Sequence, residues 1–166
     1  MIIKEIATIG AGCFWHIEEF YSCKKGVLST RVGYMGGNTP NPTYKSVCEG
    51  KTGHAEVTEI TFNSKIISYK KIIDFFWKIH DPCSLNRQGP DIGTQYRSVI
   101  FCYNKKQEKE CLRQKKLLEE NKIVSDKIVS EIAKATKFYE AEEYHQKYFK
   151  KNPMSVNIYC KTPELD

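Results

Sequence analysis

The sequence contains no Cys-x-x-Cys pair, although seven of its 166 residues are cysteines. The missing pair argues against a zinc site built on paired ligands and against a thioredoxin-type redox motif. An odd number of cysteines, without a secretory leader, also argues against a disulfide scaffold. We therefore predict neither a metal site nor a cofactor. We expect most of the thiols to be reduced and some to pack as small core residues.

Long apolar runs are also missing, since no stretch approaches the roughly 20 residues that a membrane-spanning helix needs. The N-terminal residues 1–6 lack the basic region and the long apolar region of a secretory signal. The net charge is +6, but the lysines are spread along the chain rather than gathered in a basic stripe with aromatic residues. We expect a cytoplasmic protein with no membrane or nucleic-acid partner, in which the surplus charge aids solubility.

The length suits a single domain spanning residues 1–166. Hydrophobic periodicity predicts strands interleaved with helices, which is typical of a sheet covered by helices in an α+β or α/β domain. The predicted strands are 4–9, 27–34, 55–62, 97–103 and 128–132, and the predicted helices are 13–22, 69–80, 106–121 and 141–151. Two long loops, 35–53 and 81–95, have no predicted structure of their own, and such loops tend to carry function. Nothing in the sequence demands more than a monomer.

The first candidate for chemistry is the run Gly12-Cys13-Phe14-Trp15. A cysteine that follows a glycine turn at the start of a helix lies among free backbone N–H groups and at the positive end of the helix dipole. Both effects favour the thiolate and so predict a nucleophile, although position alone leaves a buried inert cysteine open. Phe14 and Trp15 suit an apolar wall for a thioether or methyl group, although such aromatics are more often core residues.

The second candidate is Glu56, within Gly53-His54-Ala55-Glu56-Val57. Strand alternation places its side chain on the same face as Ile60 and Phe62, where partial desolvation would raise the pKa of the carboxyl. A carboxylic acid that stays protonated near neutral pH can donate a proton in a transition state. Alternation alone leaves a second interpretation open, in which Glu56 lies on an edge strand and faces water.

The third group of candidates lies on the two long loops. Asp91 and Tyr96 belong to the glycine-punctuated stretch 89–98, and Tyr44 belongs to the earlier loop. Tyrosine hydroxyls can bind an oxyanion or a sulfoxide oxygen without carrying charge themselves. Each of these residues is weak support when it is considered alone.

Six elements in a fixed order, however, resemble the A-type peptide methionine sulfoxide reductases over roughly residues 4–153. They are Gly12 to Trp15, Gly33-Tyr34-Met35-Gly36-Gly37, Asn41 to Tyr44, Gly53 to Val57, Gly89 to Ser98 and His145-Gln146-Lys147-Tyr148. The resemblance implies an α+β fold, a two-layer α/β sandwich with a ferredoxin-like βαβ core and long functional loops.

The resemblance also implies a reaction. The S epimer of methionine sulfoxide, free or in proteins, would be reduced to methionine, and the nucleophilic cysteine would become a sulfenic acid that a thiol system later reduces. Such a reaction repairs oxidative damage. The implied roles are Cys13 as nucleophile, Glu56 as proton donor, Tyr44 and Tyr96 as ligands of the sulfoxide oxygen, Phe14 and Trp15 around the substrate methyl group, Asp91 as a pocket-lining carboxylate and His145 as a supporting residue.

The C-terminal segment departs from the family pattern. Many relatives carry resolving cysteines in a glycine-rich tail, but residues 152–160 contain no glycine. Cys160 is the leading candidate because terminal segments are mobile, while Cys48 and Cys83 stay open. If none of them resolves the sulfenic acid, glutathione or glutaredoxin would attack it directly, and thioredoxin is the expected reductant otherwise. Cys23 is ten helical positions from Cys13, about 15 Å away and too far for a disulfide.

His16 is a second departure, because relatives usually have a small residue there. It either favours the Cys13 thiolate, if it is protonated, or points to solvent. Cys102 and Cys111 are expected to have packing roles. Two other classes of protein share a reactive cysteine: a thiol peroxidase, which needs neither Glu56 nor the aromatic wall, and a redox-sensing module without turnover. A zinc module is a distant alternative.

Overall fold

The computed structural model describes residues 1–155 of the chain. The strands are β1 (Lys4–Gly10), β2 (Val27–Met35), β3 (Ala55–Asn63), β4 (Arg87–Gln88), β5 (Asp91–Ile92), β6 (Val99–Cys102), β7 (Glu131–Lys134) and β8 (Tyr139–Glu140). The helices are α1 (Phe14–Ser22), α2 (Tyr44–Cys48), α3 (Tyr69–Lys78), α4 (Lys105–Glu120) and α5 (Tyr148–Lys151).

Six of these strands form a central mixed sheet in the order β7-β6-β1-β3-β2-β8, and β4 and β5 form a separate hairpin. Both β1 and β2 pair antiparallel with β3, so β1 and β2 are parallel to each other, with β3 between them and α1 as the connection. This arrangement is the split βαβ unit of ferredoxin-like folds. It confirms the predicted α+β class and places β3 in the middle of the sheet.

Strand alternation decides which residues meet the helices. On one face, Ile9 of β1, Ile60 and Phe62 of β3 and Ile100 of β6 pack in one core with the apolar sides of α1, α3 and α4. The α3 contribution includes Ile72, Ile73 and Phe76. Ser68 caps the N-terminus of this helix, and its hydroxyl accepts a bond from the Lys71 N–H. The opposite face packs Met35, Val57 and Phe101 against residues of the 133–138 segment.

Four predicted strands are confirmed as β1, β2, β3 and β6, and three predicted helices as α1, α3 and α4, with bounds that differ by a few residues. The predicted strand 128–132 is found as β7, which starts three residues and ends two residues further along, and β8 was not predicted. The two predicted loops contain α2 and the β4–β5 hairpin.

The predicted helix 141–151 is wrong. Only Tyr148–Lys151 is α-helical, and Glu143–His145 forms a 3₁₀ turn before it. Lys147 separates the two with a left-handed backbone, φ +53°, which a continuous helix cannot contain. That conformation lets both the N–H and the side-chain amine of Lys147 reach the carboxylate of Glu18 on α1.

No helix within the described residues has the length and apolar character needed to cross a membrane.

Candidate active site

Cys13 lies at the junction between β1 and α1, as the residue that caps the N-terminus of the helix. The turn before it requires glycine at position 12, where φ is +95° and a Cβ atom would approach Cβ of Gln88 to 2.8 Å. The β4–β5 hairpin therefore packs directly on the turn that presents Cys13. The Cys13 side chain is half-buried.

The protonation state of Cys13 differs from the sequence-based expectation. Burial raises the pKa of its thiol well above the ordinary value, and the neighbouring Glu56 raises it further, while the backbone N–H groups of Trp15 and His16 lower it. The backbone N–H groups at the start of α1 therefore do favour the thiolate, but burial outweighs them, and the resting group is a thiol. His16 does not reverse this, because burial lowers its pKa and its ring stacks on Phe149 at 5.2 Å.

Glu56 is buried, with 1% of its surface exposed, because its strand is paired on both sides. The interpretation of a water-facing edge residue is therefore wrong. Its Oε1 accepts one long hydrogen bond, 3.4 Å, from the backbone N–H of Phe14, and its Oε2 has no partner within residues 1–155. Burial raises the pKa of the carboxyl from 4.5 to about 8, so Glu56 is mostly protonated at neutral pH.

An aromatic wall lies beside this pair. The Trp15 indole stacks on Tyr148 with ring centroids 3.7 Å apart and 5° between the planes. Its Nε1–H donates to Nδ1 of His145 at 2.9 Å. The ring of Phe14 lies 5.1 Å from His145 and 5.9 Å from Tyr34. The indole is thus held by a stack and a hydrogen bond, both supplied by the C-terminal segment.

His145 is fully buried, and burial lowers its pKa, so its ring is neutral near pH 7. Since Nδ1 accepts the indole proton, the ring hydrogen is on Nε2. That Nε2–H has no hydrogen-bond partner among the described residues. The Tyr44 ring is a near neighbour, with its centroid 4.4 Å from that of His145.

The three loop residues gather around Glu56. Burial raises the pKa of both Tyr44 and Tyr96, and the charge of Glu56 adds to the effect in each case, so both hydroxyls are neutral. Asp91, half-buried on β5, influences the pKa of Cys13, His16, Glu56 and Tyr96 through its charge. The structure therefore brings together the residues that were predicted to act on the substrate or to bind it.

Glu142, Tyr34 and Tyr148 belong to the same group but were not predicted. The Glu142 carboxylate accepts bonds from the hydroxyl of Tyr34 and from the backbone N–H of Tyr44, each at 3.0 Å. It thereby fixes the start of α2, and with it Tyr44, to the sheet. These contacts join positions about a hundred residues apart in the chain, and nothing in the local sequence signals them.

The cysteines considered as resolving thiols lie in different places. Cys48 ends α2 and is exposed, and its thiol is close enough to the Tyr44 hydroxyl that each affects the pKa of the other. Cys83 lies in the loop between α3 and β4, and its thiol donates to the backbone carbonyl of Asp126 at 3.2 Å. Cys160 lies outside the described residues. Within residues 1–155, no group of three or more His, Cys, Asp or Glu side chains is arranged to hold a metal ion.

Comparisons with known proteins agree with this geometry. The family model described as peptide methionine sulfoxide reductase matches residues 5–166. A relative from Methanothermobacter thermautotrophicus, named peptide methionine sulfoxide reductase MsrA, is 55% identical over 149 residues, 90% of this chain and 88% of the relative. A relative of the same name from Methanococcus maripaludis is 51% identical over 160 residues, 95% of this chain and 100% of the relative.

Solved structures give the same result. The reduced form of Mxr1 from Saccharomyces cerevisiae superimposes with a TM-score of 0.87 at 38% identity, covering 98% of this chain and 92% of that one. Methionine sulfoxide reductase A of Corynebacterium diphtheriae gives 0.82 at 32% identity, covering 97% and 84%. The chain therefore belongs to the A type of the peptide methionine sulfoxide reductase family and is an oxidoreductase, a peptide-methionine (S)-S-oxide reductase.

Proposed function

We propose that Cys13 attacks the sulfur of the S epimer of methionine sulfoxide, free or in proteins, while Glu56 protonates the departing oxygen. The observation that carries this proposal is the buried Glu56 carboxyl, which has a pKa of about 8, one unpartnered oxygen and a contact to the first residue of the helix that Cys13 caps. A group with this pKa is still a proton donor at neutral pH and is a base after it has donated.

The protons balance within this pair. Glu56 gives its proton to the sulfoxide oxygen and becomes a carboxylate, which then accepts the proton that leaves the Cys13 thiol. The attack joins the Cys13 and substrate sulfurs, and this S–S bond then breaks as the S–O bond of the substrate breaks and the oxygen passes to Cys13. The S–S electron pair stays on the substrate sulfur, which leaves as methionine, and Cys13 becomes a sulfenic acid. General acid assistance of this kind accelerates a reaction typically by about 10² to 10⁴.

The surrounding residues bind the substrate in this proposal. Phe14 and Trp15 enclose the methyl group, because their rings offer an apolar wall beside the sulfur. Tyr44 and Tyr96 donate to the sulfoxide oxygen as neutral hydroxyls, which their raised pKa values favour. Asp91 lines the pocket, and His145 orients the indole of Trp15 through the bond to its Nε1–H.

The sulfenic acid on Cys13 must then be reduced. Cys160 and Cys48 are the candidate resolving thiols, and Cys48 has the advantage of its place beside Tyr44. Cys83 is a weaker candidate, because its thiol is engaged at Asp126. Thioredoxin is the proposed reductant, since the relative Mxr1 has been solved in complex with Trx2 at 26% identity and a TM-score of 0.62. Glutaredoxin or glutathione is the alternative. We place the enzyme in the cytoplasm, as a monomeric single domain that repairs oxidised methionine.

The decisive experiment measures turnover of S- and R-methionine sulfoxide with dithiothreitol, for the wild type and Cys13→Ser. We expect turnover of the S epimer alone, and its loss in Cys13→Ser. Failure to turn over either epimer would refute the proposal, and turnover of peroxide instead would favour a thiol peroxidase.

The acid role of Glu56 is tested by Glu56→Gln, which keeps the shape of the side chain but has no proton to give. We expect kcat to fall by about 10² to 10⁴ while substrate binding changes little. Equal losses in kcat and in binding would contradict the acid role. Repeating the assay with thioredoxin on Cys160→Ser and Cys48→Ser then identifies the resolving thiol, because only its loss abolishes thioredoxin-dependent turnover.

A further inference from the structure

Two cysteines outside the site form a contact pair. The sulfur atoms of Cys102 and Cys111 lie 3.9 Å apart, and both residues are buried in the core between the sheet and α4. Cys102 is the last residue of β6, and Cys111 lies in the second turn of α4, the next element of the chain. The connection between the two elements, residues 103–104, is short and holds the pair in this arrangement.

The pair is connected to the surface on two sides. Cys102 lines a cavity of about 280 Å³ together with Tyr103, Lys105 and Ala133, which is ample room for a molecule the size of a peroxide. On the other side, the hydroxyl of Tyr69 lies 3.3 Å from the sulfur of Cys111. Tyr69 in turn lines a groove of about 770 Å³ between the start of α3 and the start of α4.

We propose that Cys102 and Cys111 form a second oxidation site, a dithiol that hydrogen peroxide converts into an intramolecular disulfide. The placement assigns the roles, because Cys102 lines the cavity while Cys111 lies behind it in the core. Cys102 is therefore the sulfur that meets the peroxide, and Cys111 is the sulfur that resolves it.

The chemistry balances without any further reactant. The sulfur of Cys102 attacks one peroxide oxygen, the O–O bond breaks, and water leaves behind a sulfenic acid on Cys102. The sulfur of Cys111 then attacks that sulfenic sulfur, the S–S bond forms, and the S–O bond breaks to release a second water. Two thiols lose two electrons and two protons, and one peroxide is reduced to two molecules of water. The neighbouring Tyr69 hydroxyl is placed to assist proton transfer at Cys111.

This dithiol is separate from the catalytic cysteine. β6 pairs antiparallel with β1, with Val99 opposite Gly10 and Phe101 opposite Thr8, so Cys102 lies towards the start of β1 while Cys13 follows its end. A strand rises about 3.3 Å per residue, so at least three strand positions, about 10 Å, separate Cys102 from the Gly10 end of the sheet. A disulfide between Cys102 and Cys13 is out of reach, since bridged Cα atoms lie within about 7 Å of each other.

The test uses full-length Cys13→Ser protein, so that catalytic oxidation does not contribute. Folded protein is treated with excess hydrogen peroxide, quenched with catalase, alkylated in denaturant without reductant and digested with trypsin. Cleavage after Arg97, Lys105, Lys109 and Arg113 separates the two cysteines into peptides 98–105 and 110–113. We expect mass spectrometry to find these peptides joined by a disulfide after peroxide treatment and free after dithiothreitol treatment.

Two variants and an internal control make the result decisive. Cys111→Ala should leave Cys102 as a sulfenic acid that dimedone traps, whereas Cys102→Ala should leave Cys111 unmodified. Oxidation of Cys23, an exposed cysteine, shows that the peroxide has acted. The proposal is overturned if Cys23 is oxidised while peptides 98–105 and 110–113 remain unlinked, or if Cys111→Ala traps no sulfenic acid at Cys102. Neither result affects the assignment of Cys13, which the sulfoxide assay tests separately.

Discussion

The backbone N–H of Phe14 donates to Oε1 of Glu56 across 3.4 Å, and it is the only hydrogen bond to that carboxyl among residues 1–155. A buried carboxylate needs several donors to stay ionised, and one long bond does not replace the lost hydration. The same residue begins the helix that Cys13 caps, so the proton on Glu56 and the position of the nucleophile are set by one short stretch of chain. The site thus holds an acid in a place that is unfavourable for its charge.

This arrangement should cost stability as the pH rises. The pKa of Glu56 in the folded protein, about 8, lies above the ordinary value of 4.5. The contribution of protonated Glu56 to the free energy of unfolding is therefore fully present below pH 4.5 and is lost as the pH rises towards 8. At about 1.4 kcal/mol per pKa unit, the upper bound is roughly 5 kcal/mol. We therefore expect Glu56→Gln, which carries no charge at any pH, to gain in free energy of unfolding over the wild type between about pH 5 and about pH 8.

Urea titrations at about pH 5 and about pH 8 measure the free energies of unfolding of Glu56→Gln and of the wild type directly. Glu49→Gln, a change of an exposed glutamate, is the matched control and should track the wild type at both pH values. If Glu56→Gln were no more stable than the wild type at the higher pH, the burial cost assigned to Glu56 would be refuted. Activity is expected to fall in the same variant, so stability and turnover would change in opposite directions.

The sequence was sufficient to place Glu56 on the same strand face as Ile60 and Phe62, but its burial was settled only by the pairing of β3 on both sides. The sheet core was predictable from the same strand alternation. The protonation of Cys13 was not, because the amides that favour a thiolate are visible in a local pattern, whereas the desolvation that outweighs them depends on the packing of distant chain segments. Glu142 was missed for the same reason, since its partners lie on β2 and at the start of α2.

The second prediction concerns the wall of the pocket. Trp15→Phe keeps an aromatic ring against Tyr148 but removes the Nε1–H that bonds His145. The change leaves Nδ1 of the buried His145 without its donor, which corresponds to about 1–3 kcal/mol. Because the wall positions substrate and transfers no proton, we expect KM to rise about tenfold or more with kcat largely retained.

Trp77→Phe provides the comparison. Trp77 also donates an indole N–H, to Oε1 of Gln114 at 3.1 Å. Trp77 lies away from the site, in the core that the sheet forms with α1, α3 and α4. It should lose a similar amount of stability and leave KM unchanged. A rise in KM in both variants would mean that general destabilisation, rather than the Trp15–His145 bond, governs substrate binding.

The third prediction gives a physical role to the glycine at the end of Gly33-Tyr34-Met35-Gly36-Gly37. A Cβ atom at position 37 would collide with the backbone of Thr52 and His54 and lie 2.6 Å from Cγ of His54. Gly37 also donates its N–H to Nδ1 of His54 at 3.0 Å. We expect Gly37→Ala to lose about 1–3 kcal/mol in stability and to lower kcat, because the clash displaces the chain just before Glu56.

Gly50→Ala separates that clash from a general effect of adding a methyl group. A Cβ at position 50 would meet no atom within 4 Å, and only the left-handed backbone, φ +75°, resists the change. Its cost should be about 1–2 kcal/mol in stability. Its kcat should match the wild type. Equal effects of the two substitutions on kcat would show that contact with residues 52–54 does not position Glu56.

The fourth prediction concerns the ion pair that anchors the C-terminal segment. The amine of Lys147 bonds Oε1 of Glu18 at 2.7 Å and the hydroxyl of Thr30 at 2.8 Å, and the Lys147 N–H bonds Oε2 of Glu18 at 2.8 Å. Glu18 is buried, with 2% of its side chain exposed. Lys147→Met leaves that carboxylate without its cation, so we expect a loss of about 3–5 kcal/mol in the free energy of unfolding.

The control and the double variant show whether charge is the cause. Lys151→Met, which breaks an exposed pair with Glu143, should cost no more than about 1 kcal/mol. Adding Glu18→Gln to Lys147→Met removes the uncompensated charge and should recover part of the lost stability. His145 lies two residues before Lys147, so Lys147→Met should also raise KM. Adding Glu18→Gln should restore KM less completely than it restores the free energy of unfolding. Equal losses in Lys147→Met and Lys151→Met would show that the buried pair does not hold the segment in place.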